Sequence, residues 1–561
     1  MQGRITPGTP SQSLSRRQLL KRLGLAGAAI STPMLLAACE GAASPDESTS
    51  EPAPGSSEQS GGGDVDRLTW IVNSLVSLDA AKALDQGSKA AQGLVTESLL
   101  TLDEDLLMTE WLAESWEEID PQTYVYRIRS DVMFSDGSPL TVEDVIYSWE
   151  RHRDPEVESS LNSAFVDVDT MEVTGDNELT VTLTRPAAFW QYVPSYAPIV
   201  SRAFGEQVGE RLGTPGDDTL IGTGPYVLTD FRADEVVELV RNDNYWGDTP
   251  RFREVAIQYI ADSQTAQLAM RAQEADGFMF IPVSEAGGWE SIDGLRVESA
   301  PGLLPAFFAW DLEDELWGDV HVRRAVAHAL DREGLVDGLL SGYGEAATSL
   351  VPRGQWDGLD IPSERVEEIY ASLRPYEFDL DLAREELAQS AFPDGFSATL
   401  KYADAKPELG RAALNLRENL SQIGVDLTVE EVPLGEEIAD VVGHQNIGFR
   451  ALSFTPELLD PADYISYMLP SEFARPSGFN IPNYINPRVD ELIDEQGLTT
   501  DVEERAAAIA EVMQIISEDL PYLPLWWEDI AMAISDNYEF VGLSVLFFKK
   551  GIWVSDVRPV S

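Results

Sequence analysis

Two hydrophobic periods recur along the chain. Tyr124, Tyr126 and Ile128 alternate with Val125, Arg127 and Arg129, a period of two that predicts a strand with one buried face. Leu179, Val181 and Leu183 alternate with Thr180, Thr182 and Thr184, and Gly175-Asp176-Asn177 just before them supplies a turn. Thr141 stands three residues ahead of Asp144, a capping arrangement that opens a helix through Val145, Ile146 and Trp149. Val322, Val326, Ala329 and Leu330 fall on one face of another helix. Ala506, Ile509, Met513 and Ile516 mark a third, which stops near Pro521. Strands and helices mixed from end to end, without a sequence repeat, predict an α/β chain. The ~500 residues beyond the N-terminal region are too many for one core and predict two or three domains.

The longest apolar run, Leu23 to Ala38, is 16 residues, short of the ~20 that a spanning helix needs. Ser15-Arg16-Arg17-Gln18-Leu19-Leu20-Lys21 precedes it as a twin-arginine pattern, and Leu36-Ala37-Ala38-Cys39 closes it. A basic start, a short apolar stretch and small residues before a cut site read as an export signal over residues 1–38. Cys39 is the only cysteine, so a disulfide or a cysteine metal cluster within one chain is excluded. Its surroundings resemble the lipobox of prokaryotic lipoproteins, which implies lipid attachment at Cys39. The expected address is therefore the outer face of the cytoplasmic membrane, with several acyl chains holding the protein there. Residues 39–64 are Ser, Gly, Pro, Ala and acids, too polar to form a core, and predict a flexible tether.

The formal net charge is −58, and since the first 38 residues hold five cations and no acid, the chain from Cys39 carries −63. The acids are dispersed, as in Asp103-Glu104-Asp105, Asp217-Asp218, Glu430-Glu431 and Glu503-Glu504. Dispersed like charge destabilises a compact state at low salt and is screened over ~3 Å in molar salt, which points to a halophilic exterior. No basic stripe exists to bind nucleic acid.

Catalytic patterns are absent. Four histidines occur, His152, His321, His328 and His444, and the pair seven apart has no third ligand nearby. There is no Gly-x-Ser-x-Gly elbow, Walker loop or Cys-x-x-Cys. Gly222-Thr223-Gly224-Pro225-Tyr226 lacks the third glycine of a dinucleotide loop, and Pro225 stops a helix from opening there. A transport receptor fits this absence, whereas a surface hydrolase requires a nucleophile and a base.

Five blocks occur in order: Trp111-Leu112-Ala113-Glu114-Ser115-Trp116; Phe134-Ser135-Asp136-Gly137-Ser138-Pro139-Leu140-Thr141-Val142-Glu143-Asp144-Val145; Gly222-Thr223-Gly224-Pro225-Tyr226; Arg241-Asn242-Asp243-Asn244-Tyr245-Trp246-Gly247; and Val322-Arg323-Arg324-Ala325-Val326-Ala327-His328-Ala329-Leu330-Asp331-Arg332. Together they resemble the extracellular solute-binding proteins of family 5, the oligopeptide, dipeptide and nickel binders of ABC importers. The resemblance runs from about Leu68 to the C-terminus. It implies a two-lobed type II periplasmic-binding fold with an additional subdomain and no cofactor. Lobe I would comprise residues 65–108, 221–302 and 525–561, the subdomain 109–220 and the remaining lobe 303–524. Ala300-Pro301-Gly302 and Leu520-Pro521-Tyr522-Leu523-Pro524 are the expected crossover points, punctuated by proline and glycine. The implied partners are a small ligand, most simply a peptide, and the permease's transmembrane subunits, with the receptor itself a monomer.

Peptide binders of this family hold the ligand's terminal ammonium with an acid four residues before a proline. Phe454-Thr455-Pro456-Glu457-Leu458-Leu459-Asp460-Pro461 puts Glu457 there in place of the usual aspartate. A carboxylate against a ligand cation makes a charge-assisted bond, and a surface glutamate in an acidic chain is the alternative. Asp460 either lines the site or shapes the Asp-Pro turn. Trp310 and Asp311 align with the strand entering the second lobe and line the cleft or, for Trp310, the core. Trp526 and its neighbour Trp527 pose the same choice. The thirteen tryptophans also keep an oligosaccharide ligand open, ahead of nickel, which so few histidines can hardly hold.

Overall fold

The computed structural model describes residues 65–83, 85–103, 107–159, 161–454, 458–547 and 552–560. Arg16, Arg17, Cys39 and the 39–64 segment lie outside them, as does Glu457. Among the described residues no helix is long and apolar enough to cross a membrane.

An 11-stranded sheet forms the frame. In its first half, Val65–Val72 pairs in parallel with Phe252–Tyr259 and with the short Gly277–Phe278. Val236–Arg241 and Tyr226–Arg232 extend that half by antiparallel pairing. In the second half, Ser397–Ala403 pairs in parallel with Asp426–Val432 and Phe449–Ser453. Two long antiparallel strands, Leu295–Trp310 and Tyr522–Ser535, run through both halves and join them. Their ladder is interrupted between Ala300 and Leu304, opposite Ile530 and Glu528. The expected crossover at Ala300-Pro301-Gly302 coincides with this interruption. On the return strand the interruption comes after Pro524, and the Leu520–Pro524 stretch instead starts the strand, just past a helix stopped by Leu520 at φ 50°.

A separate four-stranded antiparallel layer is built from Ala113–Asp120, Thr123–Ile128, Glu178–Leu183 and Val168–Gly175. Its alternation is as the sequence predicts: Tyr124, Tyr126, Ile128, Leu179, Val181 and Leu183 are buried. The helix Val142–Arg153 begins with a capping box in which Thr141 and Asp144 bond reciprocally. The two other predicted helices are Val320–His328 and Val502–Asp519.

This layer is inserted between two strands of the first half and is fixed to that half by two buried devices. One is the Arg151 guanidinium, bonded to both oxygens of Asp79 at 2.8 and 2.7 Å. The other is Glu97, whose carboxylate accepts from Trp111 Nε1 (2.8 Å), Thr223 Oγ1 (2.7 Å), Tyr245 OH (2.8 Å) and Trp246 Nε1 (2.9 Å). Burial pushes the Glu97 pKa up, and the four bonds oppose that shift. Three of the blocks set out above, spread over more than a hundred residues of sequence, therefore meet on one carboxylate.

Candidate functional site

Strand direction locates the cleft. The strand Leu295–Trp310 runs from the first half to the second, and Tyr522–Ser535 returns. Gly277–Phe278 is antiparallel to the return strand, so it and its parallel neighbour Val65–Val72 point toward the second half. Phe449–Ser453 is antiparallel to the outgoing strand, so it and its parallel neighbours point toward the first half. The carboxyl ends of both parallel groups thus face each other across the crossover, the place where open α/β sheets bind ligands. The loops brought there are Asn73–Asp79 and Ile260–Asp262 from one side, and Asp404–Lys406 with Phe454 and Leu458–Asp460 from the other.

The floor is the crossover itself. A Cβ on Gly302 would lie 1.6 Å from the Glu528 carbonyl oxygen, so the two backbones approach as only glycine allows. Glu528 and Asp529 stand here in an otherwise apolar strand. Burial raises the Glu528 pKa, opposed by the Lys406 charge. Burial raises that of Asp529 to about 6, opposed by a bond from the Gly302 backbone. Among the described residues neither acid forms an ion pair. Sequence reasoning missed Glu528, Asp529 and Lys406, although two adjacent acids interrupting Leu-Pro-Leu-Trp-Trp and Ile-Ala-Met-Ala-Ile were a visible signal.

The described residues on either side of 455–457, Phe454 and Leu458, are held by their neighbours. The Phe454 N–H donates to Pro305 O at 3.4 Å. The Tyr464 hydroxyl donates to Leu303 O at 2.5 Å and to Phe454 O at 3.4 Å. Asp463 accepts from the Leu458 N–H at 3.2 Å.

Other expected site residues fall elsewhere. Trp310 is fully buried, donates from Nε1 to Leu520 O at 3.0 Å and stacks with Trp317 and Phe449. It is a core residue, because it ends a strand that carries it roughly 20 Å beyond the crossover at ~3.3 Å per residue. Asp311 goes with it, accepting from Asn483 Nδ2 at 3.0 Å and the Glu313 N–H at 3.1 Å. Trp526 is close to the crossover in sequence but fully buried, packed in the same cluster as Trp310. Asp460 is also fully buried: it accepts from the Ala462 N–H (2.8 Å), Tyr192 OH (2.8 Å) and Arg505 Nη2 (3.0 Å), and Arg505 Nη1 lies 2.8 Å from its second oxygen. It shapes the turn and has no oxygen left for a ligand. His321 bonds Glu386, His328 the Glu377 carbonyl, and His152 Ser159. No group of three metal-ligating side chains occurs among the described residues.

Two parallel groups closing on a crossover define a two-lobed binding protein, and the comparisons give its family. Residues 108–473 match the family model described as bacterial extracellular solute-binding proteins, family 5 Middle, and the chain belongs to that family. It is therefore the substrate-binding component of an ABC importer, a transport receptor and not an enzyme. The glutathione-binding protein GsiB of Escherichia coli O157:H7 is 25% identical over 481 residues, covering 84% of this chain and 91% of that protein. GsiB of Salmonella typhimurium is 25% identical over 479 residues, with the same coverage. Two solved structures share the fold. DppA from Helicobacter pylori in complex with peptide STSA has a TM-score of 0.70 at 20% identity, over 88% of this chain and 98% of that one. NikZ from Campylobacter jejuni in complex with Ni(L-His) has a TM-score of 0.73 at 21% identity, over 88% and 99%.

Proposed function

We propose that this receptor captures an oligopeptide between its lobes and delivers it to the permease from a lipid anchor at Cys39, after export by the twin-arginine route. The observation that carries the ligand class is the pair of acids on the cleft floor, Glu528 and Asp529: neither forms an ion pair among the described residues, and the one Lys406 charge acting on Glu528 is outnumbered by the two acids. A ligand ammonium supplies the missing charge. Glu457, three residues before Asp460 in the sequence, is the proposed anchor for a peptide's terminal amine. The lobes are assigned as 65–108 with 221–302 and 525–561, the subdomain as 109–220, and the other lobe as 303–524. Relatives described as glutathione-binding and peptide-bound agree with a peptidic ligand. A sugar would need exposed aromatic faces, and Trp310, Trp526 and Trp527 are all buried.

Calorimetry with short peptides, free or acetylated at the N-terminus, tests this. Free peptides are expected to bind and acetylated ones to lose most affinity, with Glu457→Gln costing about 1.5–3 kcal/mol. Equal affinity for both forms would remove the amine anchor.

A further inference from the structure

The four-stranded subdomain is bound to the first lobe by the chain itself, by Arg151–Asp79 and by the Glu97 cage, so it moves with that lobe. Yet it also touches the second lobe. The segment Ala188–Tyr192 reaches across to the helices Pro487–Gly497 and Val502–Asp519. Tyr192 OH donates to Asp460 Oδ2 at 2.8 Å, and Arg505, paired with the same carboxylate, lies over the Phe189 ring at 5.7 Å. Tyr192, Asp460 and Arg505 are 7%, 0% and 1% exposed in residue or side-chain terms. One exposed bond accompanies them, Thr500 Oγ1 to Glu118 at 3.1 Å.

Asp460 also stands three residues after Glu457 in the sequence. We propose that Tyr192 is a clasp between the subdomain and the second lobe: closure seats its hydroxyl on the buried Asp460–Arg505 pair, so that docking of the subdomain and closing of the lobes stabilise each other. This rests on the reading that the lobes close over a ligand. Asp460 and Arg505 belong to the second lobe and stay paired in either state. Tyr192 belongs to the body that moves away, and opening at the Gly302–Glu528 crossover breaks its bond and lets water reach the ion pair. A buried hydrogen bond to a charged group is stronger than one between neutral groups, which gives the clasp weight that the exposed Thr500–Glu118 bond lacks.

The test is a distance measurement that needs no ligand. In the full chain carrying Cys39→Ser, Asp176→Cys in the subdomain and Glu418→Cys on the second lobe, both exposed positions, take spin labels. Pulsed electron resonance then reads the open and closed populations. Tyr192→Phe keeps the ring and removes only the hydroxyl, and is expected to raise the open-to-closed ratio about tenfold. Phe189→Leu, which leaves Asp460 untouched, is expected to shift the ratio the same way, and Thr500→Ala less than twofold. Distributions unchanged by both Tyr192→Phe and Phe189→Leu would overturn the proposal. Because the readout is ligand-free, a failed search for a bound peptide would remove the receptor's ligand class without deciding the clasp.

Discussion

Glu97 and Asp460 are both carboxylates withdrawn from water, and the molecule satisfies them by opposite means. Glu97 has four neutral donors and, among the described residues, no ion-pair partner; the donors come from the segments around Trp111, Thr223 and Tyr245-Trp246. Asp460 has a guanidinium from the helix Val502–Asp519 and a phenol from the Ala188–Tyr192 segment. A cage of neutral donors works only when every donor is held in place, because losing one leaves a buried charge poorly solvated. In the proposed opening, the ion pair keeps its main partner and gives up only the phenol. Under that proposal, the first arrangement suits a fixed joint and the second a joint that opens.

That contrast is open to attack at several points. Glu97→Ala leaves one buried donor and three part-buried ones without their partner, and at ~1–3 kcal/mol each a loss of about 5 kcal/mol in denaturant unfolding is expected. A loss near 1 kcal/mol would show that the cage relaxes and is no rigid joint. Asp460→Asn leaves Arg505 buried beside a neutral amide, with an expected cost of about 3–5 kcal/mol. A cost below 1 kcal/mol would mean that water already reaches this pair.

Asp529 sharpens the comparison as a third carboxylate, half-buried on the cleft floor. Its folded pKa is raised to about 6, so its protonated form favours the folded state. That contribution is fully present below its ordinary value of 3.8 and is lost as pH rises through about 6. Asp529→Asn should therefore flatten the fall in stability between those two values, a difference read from melting temperatures across that range. An identical pH profile would place Asp529 in full contact with solvent. The smallest differential effect concerns salt. Screening acts on dispersed exposed acids and hardly on buried ones, so moving from about 50 mM to molar salt should raise the melting point of the wild type and of Glu97→Ala alike. Unchanged melting in the wild type would end the salt-adaptation reading.

Local structure was legible in the sequence where one residue pattern decides it. Thr141 with Asp144 announced a helix start, and the Tyr124–Ile128 and Leu179–Leu183 alternations announced strands. The ordered blocks carried the family and its fold. What they did not disclose is that Trp111, Thr223, Tyr245 and Trp246 are neighbours, because long-range convergence on Glu97 leaves no local period. Trp310 misled for a related reason: a tryptophan after an aromatic run reads alike in a cleft or a core, and the position of the crossover, about six residues before it, decides between them. Asp460 was legible as a turn former through Asp-Pro, but its pairing with Arg505, 45 residues on, was not. Glu528 and Asp529 could have been found, since two acids inside a buried strand require an explanation.

The central claim, that opposed strand ends around an acidic floor hold a peptidic ligand, is tested most directly by mass spectrometry of what the protein releases. It would be purified in molar salt from its native host and unfolded without prior dialysis. The account predicts peptides within a narrow length range, carrying a free amine. A sugar, or a metal complex without a peptide, would contradict it.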